Sequence, residues 1–347
     1  MIIRRISRIP FLSIILLIAI IPHIFSEDLY PIKVGKDKYG YINAEGKLAI
    51  EAKFTRAYTF ENRIAPVEEN NKWSCINEKG ETLFTLDVDH ISPFSQGLAI
   101  VSIKQKGSPY SKKGYIDNKG NYIISPQFLS ADDFQENMAV VSNDMKNYFF
   151  IDLKGVNVFN MYFDQCYGFK ENYSLVRIKK EKNTVFMLLH KSGTLSNLPE
   201  GFSFNGDSLW EGYLSVMKGN QYFFWNLSTN EIFMVEEGYE ARPCIVNGCY
   251  SVTDGKTELE GVRNIRGDWI LPCKYESVVP LEDGLFLYKE NGYDGFLDEN
   301  GKVFIEAQFI GLNHFKNDLA SFNTRNGMDG GYVSKKGEIF LGRDYLE

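Results

Sequence analysis

One short turn pattern recurs along this sequence: an Asp or Asn followed three residues later by Gly. Its clearest copy lies within residues 114–134, G-Y-I-D-N-K-G-N-Y-I-I-S-P-Q-F-L-S-A-D-D-F. An Asp or Asn side chain caps the start of a four-residue turn, and a Gly at its end suits a bulged hairpin. The pattern therefore predicts pairs of strands joined by tight turns. The turn glycines are Gly46, Gly80, Gly120, Gly155, Gly193, Gly267, Gly301 and Gly337, with His190 and Ser334 in place of the Asp or Asn before two of them.

The spacing of these glycines defines a repeat of about 36 residues, within the range of stacked or circular repeat architectures. A large apolar residue stands fourteen positions after six of them: Phe60, Phe94, Phe134, Phe169, Leu281 and Phe315. A register held over so many units predicts that each unit buries this side chain against a neighbour.

Each unit contains about four strand-like pieces, which in the second unit are residues 63–68, 73–77, 81–86 and 90–94. We therefore expect an all-β fold of about eight or nine tandem units that form β-propeller-like blades. An open β-solenoid or spiral array is the alternative. Residues 27–347 would form a single array, with a lengthened hairpin at 102–113 and degenerate units over 186–245. The last unit stops after Leu341, and we expect it to lack a fourth strand and to leave a place for one from the N-terminal end.

Residues 1–26 have the features of a secretory signal peptide. Three arginines precede an apolar run over residues 11–21, Pro22 interrupts it, and Ser26 is a small residue at a plausible cleavage point. An uncleaved N-terminal anchor is the alternative. Without the segment, 35 basic side chains face 45 acidic ones, a net charge of about −10. We therefore expect a protein exported to the periplasm, cell envelope or extracellular space, with no transmembrane span after signal removal and no nucleic-acid partner.

Three stretches resemble a known repeat: K-Y-G-Y-I-N-A-E-G-K at 38–47, K-K-G-Y-I-D-N-K-G-N at 112–121 and Y-D-G-F-L-D-E-N-G-K at 293–302. The chain resembles the WG-repeat (KWG) family of bacterial proteins over about residues 30–340. The namesake Trp-Gly pair is nowhere intact, and Tyr39-Gly40 and Trp73-Ser74 come closest to it. The resemblance implies an often exported repeat scaffold with no assigned chemistry and no catalytic residues to carry over.

The sequence contains no constellation typical of catalysis or of metal binding. His90, His190 and His314 have no His or Cys at ligand spacing, and each repeated turn offers a single Asp or Asn rather than converging carboxylates. We therefore predict no cofactor, no metal and no catalytic residues.

Two sets of residues could still mark function. Tyr110, Trp210, Trp225 and Trp269 lie outside the repeat register and could form a binding surface, although they could equally cover the irregular middle units. The chain has five cysteines, and Cys244 and Cys249 flank an expected Asn247-Gly248 turn, where export would permit a disulfide.

The leading hypothesis is an exported scaffold that binds a protein or a surface glycan and has no catalytic activity. Repeats support it because they present a wide surface built from many loops. One alternative is an enzyme with a site at the centre of a propeller-like ring, which rests on fold analogy alone. Another is a purely structural component of the cell envelope.

Overall fold

The protein is an all-β molecule, as seen in a computed structural model that describes residues 28–345 apart from 36, 181–182 and 324–329. The expected signal peptide at residues 1–26 lies outside the described residues. The described strands form nine small antiparallel sheets in chain order, and a 3-10 helix over Gly342–Tyr345 follows the last of them. The predicted all-β, propeller-like class is therefore confirmed: each sheet is one blade of a nine-bladed β-propeller.

Strand bounds follow the repeat closely. Blades 1 to 3 contain β1 (Tyr30–Val34), β2 (Lys38–Ile42) and β3 (Leu48–Phe54); β4 (Arg56–Ala57), β5 (Ala65–Glu69), β6 (Lys72–Ile76) and β7 (Thr82–Leu86); β8 (His90–Ile91), β9 (Leu98–Lys104), β10 (Ser111–Asp117) and β11 (Tyr122–Phe128). Blades 4 to 6 contain β12 (Ser130–Ala131), β13 (Ala139–Ser142) and β14 (Tyr148–Ile151); β15 (Gln165–Cys166), β16 (Tyr173–Lys180), β17 (Asn183–His190) and β18 (Leu195–Ser196); β19 (Ser203–Trp210), β20 (Tyr213–Lys218), β21 (Gln221–Asn226) and β22 (Ile232–Met234). Blades 7 to 9 contain β23 (Tyr239–Ala241), β24 (Cys249–Asp254), β25 (Glu260–Asn264) and β26 (Trp269–Tyr275); β27 (Ser277–Pro280), β28 (Phe286–Glu290), β29 (Tyr293–Leu297) and β30 (Val303–Phe309); β31 (Phe315–Lys316), β32 (Leu319–Phe322), β33 (Gly331–Ser334) and β34 (Ile339–Leu341).

Within each sheet, every strand pairs with the next one along the chain, so a four-stranded blade runs from an inner strand to an outer strand. The outer strands begin with exposed apolar residues, for example Leu83 and Tyr122. They also accommodate Pro126 and Pro272, which an edge strand tolerates because one of its sides is unpaired. The turns that join inner and second strands, by contrast, contact one another from blade to blade.

These contacts define what we call the inner rim, the ring of turns between inner and second strands. The Gln96 side chain accepts a hydrogen bond from the backbone N–H of Asn137 in the next blade. The carboxylate of Glu136 accepts one from the N–H of Asn172, and Glu171 accepts one from the N–H of Gly212. Side chains at one repeat position therefore link consecutive blades around the axis.

The turn glycines explain how neighbouring blades pack. At Gly120, φ is +82°, and a Cβ would lie 2.7 Å from the Phe84 ring of the preceding blade. A Cβ at Gly80 would lie 3.0 Å from Ile50, again in the preceding blade. Glycine is therefore favoured twice at this position, by the left-handed backbone and by the close approach of an outer-strand side chain.

The ring closes through the same contact. Gly46 in blade 1 lies under the Phe340 ring of blade 9, where a Cβ would overlap ring atoms. The Tyr345 hydroxyl also donates to the Gly46 carbonyl at 2.5 Å, and Tyr332 donates to the carbonyl of Pro31 at 3.0 Å. The open solenoid or spiral alternative is therefore wrong for this chain.

One detail of the expected closure is also wrong. Blade 9 has its own fourth strand, β34, and it needs no strand from the N-terminal end. Among the described residues, it is blade 1 that lacks an inner strand, because none of them pairs with the inner side of β1, whereas the three-stranded blade 4 lacks an outer strand. Closure therefore relies on side-chain packing rather than on a strand shared between the two ends.

The aromatic register predicted from the sequence forms much of the core. Phe94, Phe134, Phe169 and Phe315 are all buried at the inner ends of their blades. Blades 6 and 7 follow the same plan with different residues, since Leu209 and Ile245 are the buried side chains at the corresponding turns.

Candidate binding site at the inner rim

A cavity opens at the inner rim between blades 6 and 9. Its volume is about 540 Å³, within the range typical of small-ligand and peptide pockets. The walls come from inner strands and their turns in four successive blades: Trp210, Cys244, Val246, residues 279–283, His314 and Phe315. The cavity therefore depends on the ring, because no single blade supplies it.

Much of its lining is apolar. Val279 and Val246 occupy inner-strand and turn positions at which blade 3 carries Ser92 and Ser95. Glu282 and Asp283 lie at the edge of the cavity and add negative charge there. This arrangement suits an apolar group that carries a positive charge beside it.

Two buried carboxylates hold the inner strands that form this cavity. Glu260 in β25 accepts a hydrogen bond from the backbone N–H of Val278 at 2.9 Å and pairs with Arg242 at 2.5 Å. Asp294 in β29 accepts one from the N–H of Leu312 at 3.2 Å. In each case a carboxylate of one blade fixes the inner strand of the next.

These two carboxylates were missed by the sequence reasoning, although a signal was present. Glu260 and Asp294 directly precede Gly261 and Gly295, at the position where the repeat has Tyr39 before Gly40. A Cβ at Gly40 would lie only 2.6 Å from an outer-strand carbonyl, which explains why a second glycine recurs in several units. An acidic residue at a position that is aromatic in blades 1, 2 and 4 is the visible departure.

Trp210 is the predicted aromatic that reaches the cavity. Its ring faces the Lys170 ammonium at 3.3 Å, a cation–π contact that joins blades 5 and 6. Lys170 also lines a smaller cavity of about 230 Å³ between those blades. Trp210 is therefore fixed at a boundary between two cavities.

The other three predicted aromatics are scattered. Tyr110 is 55% exposed at the tip of the lengthened hairpin between β9 and β10. Trp225 is buried, and its indole N–H donates to the Asn230 side chain at 2.9 Å, which is a structural role. Trp269 is 44% exposed and begins the outer strand of blade 7. The four therefore do not form one surface.

The predicted Cys244–Cys249 disulfide is not formed in the structure, where both thiols are free. The turn between them pairs Val246 with Cys249 through two backbone hydrogen bonds, so Cys244 lies two residues beyond the partner position of Cys249. Burial raises the pKa of both thiols, which keeps them protonated near neutral pH.

A separate polar cluster lies in blades 2 and 3. Tyr58 stacks on Trp73, and its hydroxyl hydrogen-bonds His90 Nε2 at 2.9 Å. Burial lowers the pKa of His90, and the nearby Arg56 adds to that effect. Among the described residues, no group of three or more His, Cys, Asp or Glu side chains is placed to hold a metal ion. In that same part of the chain, no helix is long and apolar enough to cross a bilayer.

Sequence comparison gives the family. The profile of the WG containing repeat matches six segments that together cover more than half of the chain: residues 39–73, 73–106, 114–146, 148–182, 261–293 and 295–327. The chain belongs to the WG-repeat family. The predicted resemblance is thereby confirmed. None of the six matched segments includes residues 183–260, which supply Trp210 and Cys244 to the cavity. Among curated proteins, none matches this chain in sequence.

Solved structures share the fold at very low identity. A structure titled as a eukaryotic initiation factor is 10% identical, with a TM-score of 0.62, and the match covers 93% of this chain and 100% of that one. Apo AztD from Citrobacter koseri is 11% identical over 90% of this chain and 94% of its own, with a TM-score of 0.43. Hsv2p from Kluyveromyces lactis is 10% identical over 72% and 96%, also at 0.43. The first of these likenesses supports the propeller architecture and nothing more specific.

Proposed function

We propose that this WG-repeat protein is an exported, non-catalytic scaffold that binds a protein or surface-glycan partner through the cavity at the inner rim. The observation that carries the proposal is that cavity: about 540 Å³, apolar on its walls and edged by Glu282 and Asp283. The repeat fold supports a scaffold role because many short loops converge on one rim.

The lining favours a protein partner at this site. An extended peptide could place an apolar side chain against Val279 and Pro280, with a Lys or Arg beside the two carboxylates. A glycan would leave the hydroxyls of its inserted sugar facing apolar walls without partners, which is costly. Export is proposed from the features of residues 1–26 and from the acidic composition of the remainder.

Capture from envelope fractions tests the proposal. The wild-type protein should enrich a reproducible partner, the Trp210→Ala variant should lose it, and Tyr110→Ala should retain it. Tyr110 is a matched control because it is an exposed aromatic in blade 3, whereas the cavity is lined by blades 6 to 9. A photo-cross-linking residue at position 246 should become attached to the same partner, which would report its chemistry.

Two results would count against the role. If nothing is enriched reproducibly by the wild-type protein, the scaffold proposal fails. If Trp210→Ala captures the partner as well as the wild type does, the partner binds elsewhere. Cell fractionation with sequencing of the mature N-terminus tests export separately, and a protein retained in the cytoplasm with its first residues intact would contradict it.

A further inference from the structure

A second cavity lies between blades 6 and 7, and it differs from the first in both place and chemistry. Its volume is about 700 Å³. It is bounded by the turn over residues 218–221, which joins the second and third strands of blade 6, and by the start of inner strand β23. Because antiparallel strands alternate in direction, this turn lies at the opposite end of the blade from the inner rim.

The groove is polar with aromatic side chains set into it. Asn220 and Gln221 offer amides, Glu237 and Glu240 offer carboxylates, and Tyr222 lies beside them. Such a lining provides both donors and acceptors along its length. Among the described residues that line the inner-rim cavity, none has a side-chain amide, so the two sites select different chemistry.

Tyr239, which lines this groove, belongs to a rigid aromatic pair. Its ring meets that of Trp269 edge-on, with centroids 5.6 Å apart. The guanidinium of Arg263 lies over both rings, 3.9 Å from the centroid of Trp269 and 4.7 Å from that of Tyr239. Arg263 Nη2 also pairs with Glu236 at 2.6 Å, so the two rings and the cation form one cluster.

Arg263 occupies a position that is apolar elsewhere in the array. The corresponding residues in blades 1, 2 and 3 are Ile42, Ile76 and Ile116, and all three are buried. The Arg263 side chain is only 6% exposed, and its Nε has no hydrogen-bond partner among the described atoms. A buried cation with an unsatisfied donor is costly for packing, so packing alone does not account for the substitution. Holding the Tyr239 ring, which lines the groove, against the Trp269 ring does.

We infer that this groove binds a neutral oligosaccharide. The apolar C–H face of a sugar ring packs on a fixed aromatic side chain, and its hydroxyls require the amide and carboxylate partners that line the groove. The carboxylates of Glu237 and Glu240 outnumber the one ammonium group of the lining, that of Lys218, and therefore oppose an acidic sugar chain. The inference extends the proposed binding role to a second ligand class and a second site, so it can succeed or fail separately from partner capture at the inner rim.

Titration with defined tetrasaccharides tests the inference. The probes are N-acetylglucosamine and glucose tetrasaccharides, with a uronic acid tetrasaccharide as the acidic control, followed by calorimetry and tryptophan fluorescence. At least one neutral probe should bind the full exported chain, and the acidic probe should bind at least about tenfold more weakly. Absence of binding by both neutral probes up to about 10 mM, or tighter binding of the acidic one, overturns the inference.

Three variants locate the site. Tyr239→Ala and Arg263→Ile should each weaken neutral-sugar binding by at least about tenfold. Arg263→Ile restores the residue found in other blades, so its thermal unfolding should stay at or above the wild-type midpoint while binding is lost. Tyr122→Ala is the control, because Tyr122 is a partly exposed tyrosine of blade 3, 43% exposed, outside the groove.

The variants also separate the two proposals. Trp210→Ala should leave sugar binding unchanged, and Tyr239→Ala should leave partner capture at the inner rim unchanged. Equal sugar affinity in the wild type and Tyr239→Ala would show that the sugar binds elsewhere and would refute this groove. If Arg263→Ile fails to fold, Tyr239→Ala still decides the question, because Tyr239 is only partly buried.

Discussion

Replacing Gly46 with Ala tests whether blade 9 really closes the ring on blade 1. Gly46 has φ +74° and lies under the Phe340 ring, whereas Gly337, at the same turn position in blade 9, has φ +81° and no atom within 4 Å of a built Cβ. Both substitutions force Ala into the left-handed region, at a cost of about 1–2 kcal/mol each. Only Gly46→Ala also pushes a methyl group into a packed side chain, which adds about 1–3 kcal/mol.

The free energy of unfolding should therefore fall further for Gly46→Ala than for Gly337→Ala, by about 1–3 kcal/mol. Equilibrium urea unfolding, followed by both circular dichroism and fluorescence, measures this difference if the two probes give coincident curves. Gly120→Ala is an interior comparison, since its Cβ would meet Phe84 across the joint between blades 2 and 3.

A double-mutant cycle identifies the contact itself. Trimming Phe340 to Ala should remove most of the excess cost of Gly46→Ala, giving a coupling energy of at least about 0.5 kcal/mol. Equal destabilisation by Gly46→Ala and Gly337→Ala, with no coupling to Phe340, would show that the two ends of the chain do not meet. The closed ring would then be refuted.

The other predictions concern the blade joints and the titratable groups. Glu260→Ala should cost about 1–3 kcal/mol in unfolding free energy because it leaves the buried N–H of Val278 unsatisfied, whereas Glu260→Gln, which keeps an acceptor, should cost less. Burial lowers the pKa of His90 below its ordinary value of 6.5, so the unfolded chain binds the proton more readily than the folded chain. The free energy of unfolding, measured by urea titration, should therefore fall as the pH drops through 6.5, and it should fall less in His90→Gln. Unreduced, denatured protein should show five reactive thiols by alkylation and mass spectrometry, and persistent protection of Cys244 and Cys249 would contradict the register of their turn.

The sequence alone predicts the blades well because their determinants are local. An Asp or Asn cap and a Gly three residues later specify a turn whatever surrounds it, and Phe134 and Phe169 follow at a fixed distance. The prediction weakens where insertions shift the register. Asn230 stands in for the turn glycine in blade 6. Counting fourteen residues from Gly193 and from Asn230 gives Asp207 and Cys244, whereas the structure buries Leu209 and Ile245. A fixed spacing cannot detect such one- or two-residue shifts.

The cavities could not be predicted in the same way, because they are formed by residues far apart in the sequence. Trp210 and Phe315 line one cavity only because the ring brings blades 6 and 9 to the same rim. Arg263 and Glu260, in contrast, could have been noticed, since a charged residue replaces an Ile or an aromatic in an aligned unit. Departures from a repeat are thus the part of the functional signal that a single sequence retains.

Closure without a shared strand has a consequence for engineering this protein. The joint between Gly46 and Phe340 places a turn glycine under an outer-strand side chain of the preceding blade, so it is not chemically unique. The joints at Gly80, Gly120, Gly155 and Gly301 do the same. A gene that linked residue 345 to residue 28 and opened the chain between two other blades should still fold to the same ring. Such circular permutants would allow fluorophores or affinity handles to be attached beside either cavity, with both original ends joined out of the way.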